Sequence, residues 1–185
     1  SMNELPHEKM TRYINEYKID KDISKIIIAE KENTVLFERM VKESEVTPKN
    51  IASWLVGDIF AFIKEKNIDV LSLLEFTKDI TDLLKLISDD VISNKAGKGI
   101  LPQVLEGKGK PNELVKKMGL EQVSDTRELE KIIDEALVGE EENIAKFQGG
   151  SNRVLGYFVG KCLKSTKGKG NPKLINKILL EKLNK

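Results

Sequence analysis

Apolar residues in this chain recur at helical spacing from one end to the other, and no segment of useful length alternates with period two. A half-buried strand needs that alternation, so a sheet is excluded as the main architecture and the chain must bury helix against helix. Composition points the same way. Aromatic residues make up 5% of the chain, Thr and Val are few, and abundant Lys, Glu, Leu and Ile favour helix over sheet. The expected fold class is all-α.

Start signals, each pairing a side-chain cap with a residue suited to the first turn, place the helices. Asp22 to Val41 reads as one long helix through Ile23, Ile26, Ile27, Val35, Leu36 and Met40. Thr47-Pro48 opens a helix to about Lys66, with Ile51, Trp54, Leu55, Ile59, Phe62 and Ile63 on one face. Thr77 and Ser93 open two more, and Pro102 inside the second predicts a kink or a late start. Pro111 to Met118 is short and stops at Gly119. A boundary is expected over Gly119 to Ser124, where that stop meets a new capped start at Ser124-Asp125. Beyond it come Arg127 to Val138, Glu141 to Phe147, Ser151 to about Lys167, and a last helix opened by Asn171-Pro172. The chain therefore reads as two helical domains, residues 3–119 and 120–185. The second is a three- or four-helix bundle of about 65 residues, near the lower limit for independent folding.

Several chemistries fall away. A single cysteine, Cys162, makes no internal disulfide, and with one histidine, His7, there are too few soft ligands for a four-ligand zinc site or a Cys/His dyad. Cys162 sits on an apolar helix face, where packing is favoured over reactivity, and Trp54 reads as core. The triplets Gly97-Lys98-Gly99, Gly107-Lys108-Gly109 and Gly168-Lys169-Gly170 lack the spacing of a phosphate loop and read as turns. Glu140 to Glu142 reads as a helix N-terminus complementing its dipole. No catalytic constellation, cofactor-binding motif or metal cluster stands out. With no run of eighteen apolar residues and no signal segment, a soluble, cytoplasmic chain is expected, and Ser1 before Met2 reads as a tag remnant.

The net charge of +1 hides an asymmetry. From residue 150 onward nine basic residues face one acid, Glu181, while residues 121–149 carry nine acids and three bases. On the helix from Ser151, Leu155, Phe158, Val159, Cys162 and Leu163 cluster on one side. Arg153, Tyr157, Lys161, Lys164 and Lys167 fall on the other, with Gly156 and Gly160. Lys169 and Lys173 flank the start of the last helix, where unpaired amides and the dipole favour an anion such as phosphate. Spacing alone fits either a solvated lysine face or a nucleic-acid surface.

Leu155-Gly156-Tyr157-Phe158-Val159-Gly160-Lys161, followed by Lys164-Ser165-Thr166-Lys167-Gly168 and Asn171-Pro172, resembles the tail domain of the GatB/YqeY family. Ile51-Ala52-Ser53-Trp54-Leu55-Val56-Gly57 is similar to that family's Ala-x-x-Trp-Leu-x-Gly helix, and Glu4-Leu5-Pro6 with Arg12-Tyr13 to the start of its central helical domain. The sequence departs from the pattern at Gly97, Gly99 and Pro102, where alanine and lysine are usual, and at Lys169-Gly170 before Asn171. The resemblance implies the B-type subunit of an aspartyl/glutamyl-tRNA amidotransferase, a carbon–nitrogen ligase of translation with glutamine as amido donor. At full length, this type of protein uses ATP and magnesium in an N-terminal cradle to support conversion of Glu-tRNA(Gln) and Asp-tRNA(Asn) to Gln-tRNA(Gln) and Asn-tRNA(Asn). It works with the amidase, or A-type, subunit and with a small C-type subunit. This chain resembles the part after the cradle, a C-terminal piece that holds the tRNA through Arg153, Tyr157, Lys161, Lys164, Lys167, Lys169 and Lys173 and is not an enzyme alone. Two other readings stand beside it: a free-standing YqeY-like helical protein, and a helical protein–protein scaffold that ignores RNA.

Overall fold

The computed structural model describes residues 4–184; Ser1, read as a tag remnant, the expected domain start at Asn3 and the basic Lys185 lie outside them. The described residues form twelve α-helices, one π-helical and one 3-10 segment, and no strand. The all-α expectation holds, with a lone bridge between Val123 and Gly170. Residues up to Asp89 pack with Asn94–Met118 as one unit, and Asp90–Ser93 pack with the residues from Gly119 onward as a second.

In the first unit, α1 (Pro6–Asn15) is followed by α2 (Lys21–Ala29) and α3 (Lys31–Glu43), where the sequence reads as a single helix from Asp22. Glu30 is extended, with φ −122° and ψ 137°, and ends α2 as it begins α3. At 100° per residue, Ile27 and Leu36 would face opposite sides of a straight helix, yet both are fully buried. Folding the chain back at Glu30 turns both into one core. The hydroxyl of Thr34 closes the corner, donating to the carbonyls of Ile27 and Glu30 at 3.2 and 3.4 Å. No glycine or proline marks the break, so no local signal announces it.

The helix opened by Thr47-Pro48 runs as expected to Lys66, as α4 (Pro48–Trp54), a π-helical stretch Leu55–Ile59, and α5 (Phe60–Lys66). The Thr47 side chain accepts from the amide of Asn50, and Asn67, left-handed at φ 51°, ends the run. Trp54 is buried, as its place on the apolar face predicts. A 3-10 segment, Val70–Phe76, leads into α6 (Thr77–Ser88). Thr77 starts this helix without capping it: its hydroxyl donates to Glu43 at 2.6 Å and to the Leu74 carbonyl at 3.1 Å. Next, α7 (Asn94–Leu105) runs through Pro102, and α8 (Pro111–Met118) stops at Gly119, φ +61°. Gly97-Lys98-Gly99 lies inside α7, which corrects its reading as a turn. A Cβ at Gly97 would sit 2.3 Å from Ile87 Cδ1, so glycine lets α7 lie close against α6.

The second unit contains α9 (Thr126–Leu137), α10 (Glu141–Gln148), α11 (Arg153–Ser165) and α12 (Pro172–Leu183). Asp125 caps α9, accepting from the amides of Arg127 and Glu128. One core joins the bundle, with Leu129 and Ile133 of α9, Phe158 and Cys162 of α11, and Ile175 and Leu179 of α12 all fully buried. The bridge ties the strand-like ends together: the Val123 amide donates to the Lys169 carbonyl at 2.6 Å, and the Asn171 amide to Val123 at 3.0 Å. Within this unit Gln122 also donates to the Val91 carbonyl at 2.8 Å, which is how Asp90–Ser93 joins it.

Candidate nucleic-acid interface

The candidate surface is built on α11, because the apolar stripe of that helix is consumed by the core and its opposite face is left to solvent. Val154, Phe158 and Cys162 point inward. Burial pushes the Cys162 thiol above its ordinary pKa, which fits a packed cysteine and not a reactive one. Outward, Arg153, Tyr157 and Lys164 are exposed along one strip of the helix, with Gly156 and Gly160 between them. A Cβ at either glycine would meet nothing within 4 Å. The strip therefore has a lane at backbone level, edged by two cations and by Tyr157, a residue 51% exposed.

Not all seven expected residues are equivalent. Lys161 is at the edge of the strip, where its ammonium donates to Glu140 Oε1 at 2.7 Å and to the Ala136 carbonyl at 2.9 Å. Glu140 also accepts from Tyr157 Oη at 3.0 Å and from Asn143 Nδ2 at 2.6 Å. Three donors thus converge on one carboxylate, and Lys161 above all, with Asn143 and Tyr157, holds its pKa down at about 2. The same contact raises the pKa values of Lys161 and of the Tyr157 phenol. The charge of Lys161 is locally spent, while the ring of Tyr157 is held on the surface by its own hydroxyl.

Lys167 corrects the helical projection. The helix ends at Ser165, and Lys167 takes the left-handed conformation at φ 53°, so its direction is set by the turn and not by the wheel. It remains exposed, as does Lys169. The expected anion site at the start of α12 is already filled by the chain itself: Asn171 Oδ1 accepts from the amides of Lys173 and Leu174 at 3.1 and 3.3 Å. Lys173 pairs with Asp90 at 2.9 Å. Arg153, Lys164, Lys167 and Lys169 are left as exposed cations that make no ion pair among the described residues.

The sequence reading missed Glu140, Asn143 and Asp90 as members of this surface. Glu140 and Asp90 meet partners 17 to 83 residues away, and only the acidic N-terminus of α10 gave a local signal, which fits its dipole equally well. Among the described residues no three His, Cys, Asp or Glu side chains converge to hold a metal ion. No helix among the described residues is long and apolar enough to cross a membrane.

Comparison with known proteins places relatives beside this chain. The chain is 35% identical over 183 residues to the B subunit of an aspartyl/glutamyl-tRNA(Asn/Gln) amidotransferase of Persephonella marina, covering 99% of this chain and 39% of that protein. It is 38% identical to the Clostridium novyi protein of the same name, over 100% of this chain and 38% of the relative. It is 37% identical to the one from Gloeothece citriformis, over 97% and 36%. The chain thus spans well under half the length of the curated relatives it matches. Residues 35–183 match the profile of the GatB domain, and the chain belongs to the GatB/YqeY domain family.

Proposed function

We propose that this chain holds tRNA on the exposed face of α11, as part of a longer B-type amidotransferase subunit. The observation that carries the reading is the open lane of Gly156 and Gly160 between Arg153, Tyr157 and Lys164, in the most basic stretch of the sequence. A polyanion needs unspent cations, and a sugar–phosphate chain or a splayed base needs room to approach a helix backbone. Both are present on one strip. Lys167 and Lys169 extend the positive surface beyond the end of the helix, and Tyr157 offers a ring on which a base can stack. In the longer protein this grip would present Glu-tRNA(Gln) or Asp-tRNA(Asn) to an ATP- and magnesium-dependent site on a cradle outside this chain. The amide nitrogen would come from glutamine through an amidase partner, with a small third protein in the complex. On this reading the site of action is the cytoplasm, and the chain alone gives no protein-dependent turnover with ATP, glutamine and mischarged tRNA.

The test is a salt titration of tRNA binding. Reversing Arg153→Glu with Lys164→Glu removes two phosphate partners, so the slope of log affinity against log salt flattens by about 1.5. Helicity and melting stay close to those of the parent chain, because surface changes cost within about 0.5 kcal/mol. Tyr157→Ala weakens binding by about 1 to 3 kcal/mol with little change of slope. The charge-matched control, Lys21→Glu with Lys64→Glu in the first unit, retains the parent slope. If both double variants bind alike at every salt concentration, the strip is a solvated face and the assignment fails.

A further inference from the structure

A groove of about 850 Å³ lies in the first unit between the start of α1 and the outer face of α3. Its floor is aliphatic, made by Pro6, Ile28, Val35 and Leu74, and Val35 is 40% exposed. Apart from three lysines, the charged groups in its walls already have partners. The Arg12 guanidinium binds Glu4 at 2.7 Å and Glu38 at 2.6 Å, and donates to the Tyr17 hydroxyl at 2.6 Å. Glu38 also accepts from Tyr13 at 2.8 Å, and Arg39 pairs with Glu43. No buried side-chain nitrogen or oxygen among the described residues lacks a partner. A small polar ligand would find no vacant buried donor or acceptor here.

What is unspent is apolar area and three ammonium groups, those of Lys9, Lys31 and Lys42, which line the groove and make no ion pair among the described residues. Lys31, Val35, Glu38 and Lys42 fall within about 60° of one another on α3, so the cations flank the apolar contact along one face. Eleven residues of helix separate the two lysines, roughly 16 Å at 1.5 Å per residue. RNA suits this surface poorly. The rings of Tyr13 and Phe37 are buried, leaving bases no platform there.

We propose that this groove docks an acidic amphipathic helix from another protein chain. Two or three aliphatic side chains of that helix would sit on Ile28, Val35 and Leu74. A carboxylate near each end, roughly three helical turns apart, would meet Lys31 and Lys42. The surface lies in the first unit and is independent of the strip on α11.

The test uses the whole chain and a fluorescein-labelled sixteen-residue peptide with Leu at helical i, i+3, i+4 and i+7 spacing and Glu at both ends. Its twin carries Lys in place of Glu. By fluorescence anisotropy the acid-ended peptide should bind at least about tenfold more tightly than its twin, and Val35→Asp should cost about tenfold or more. Lys31→Glu with Lys42→Glu should reverse the preference towards the Lys-ended peptide, which a misfolded chain would not do. Arg153→Glu with Lys164→Glu should leave the titration unchanged, so this result and that of the tRNA experiment are read separately. Equal binding of the two peptides, indifference to Val35→Asp, or displacement of the acidic peptide by a sixteen-nucleotide single-stranded RNA overturns the proposal.

Discussion

Glu140 shows how much of a surface can depend on one carboxylate. Its depressed pKa means that the ionised form is stabilised by folding, so the contribution is present above the ordinary carboxylate value of 4.5 and is lost as pH falls through about 2. In acid melts between those limits, Glu140→Gln should show a shallower loss of stability than the parent chain. The same substitution removes the charge that neutralises Lys161. It should therefore steepen the salt dependence of tRNA binding by roughly 0.7 to 0.9, one phosphate contact's worth, in the same kind of salt titration. The outward strip itself was legible from the sequence, because helical periodicity alone separates Phe158 and Cys162 from Arg153 and Lys164. The pairing of Lys161 was not, since its partner lies 21 residues away, just before another helix begins. Periodicity says which way a side chain faces and nothing about who meets it.

The elements were read best where a start signal is local. Thr47-Pro48, Asp125 and Asn171-Pro172 each open a helix where the sequence says, because a cap acts on amides two or three residues away. The corner at Glu30 escaped, being fixed by burial of Ile27 and Leu36 and by a Thr34 hydroxyl that reaches back seven residues to the Ile27 carbonyl, with no glycine or proline to announce it. The two glycines of α7 separate these levels experimentally. Gly99 has open space around it, so Gly99→Ala should stabilise the chain by about 1 kcal/mol in urea unfolding, the usual gain of alanine over glycine in a helix. At Gly97 the new methyl would overlap Ile87, so Gly97→Ala should forfeit that gain and cost about 1 kcal/mol net. Pairing it with Ile87→Ala should leave a favourable coupling in a double-mutant cycle.

At the scale of the whole molecule, the segment Asp90–Ser93 leaves the first unit's stretch of sequence to pack with the second, which no composition shift announces. The stop at Gly119 and the cap at Asp125 were readable; this excursion was not, since its ties include a backbone bond from Gln122 to Val91 and the ion pair of Asp90 with Lys173. A piece covering residues 119–185 loses those two ties and keeps the core of α9, α11 and α12. Expressed alone, it should stay helical by circular dichroism and melt cooperatively, about 1 kcal/mol less stable than in the whole chain. A non-cooperative melt would mean that the bundle needs the rest of the chain. The open glycines of α11 carry a consequence for any selection imposed on this protein. Alanine at Gly156 and Gly160 meets no obstacle in the fold and gains about 1 kcal/mol at each position, or roughly 4 to 8 °C of melting temperature per kcal/mol in a bundle of this size. A library screened for heat tolerance should therefore fill both positions quickly, and one screened for survival on translation should keep them empty, so the two enriched pools diverge first at the residues that contribute no side chain at all.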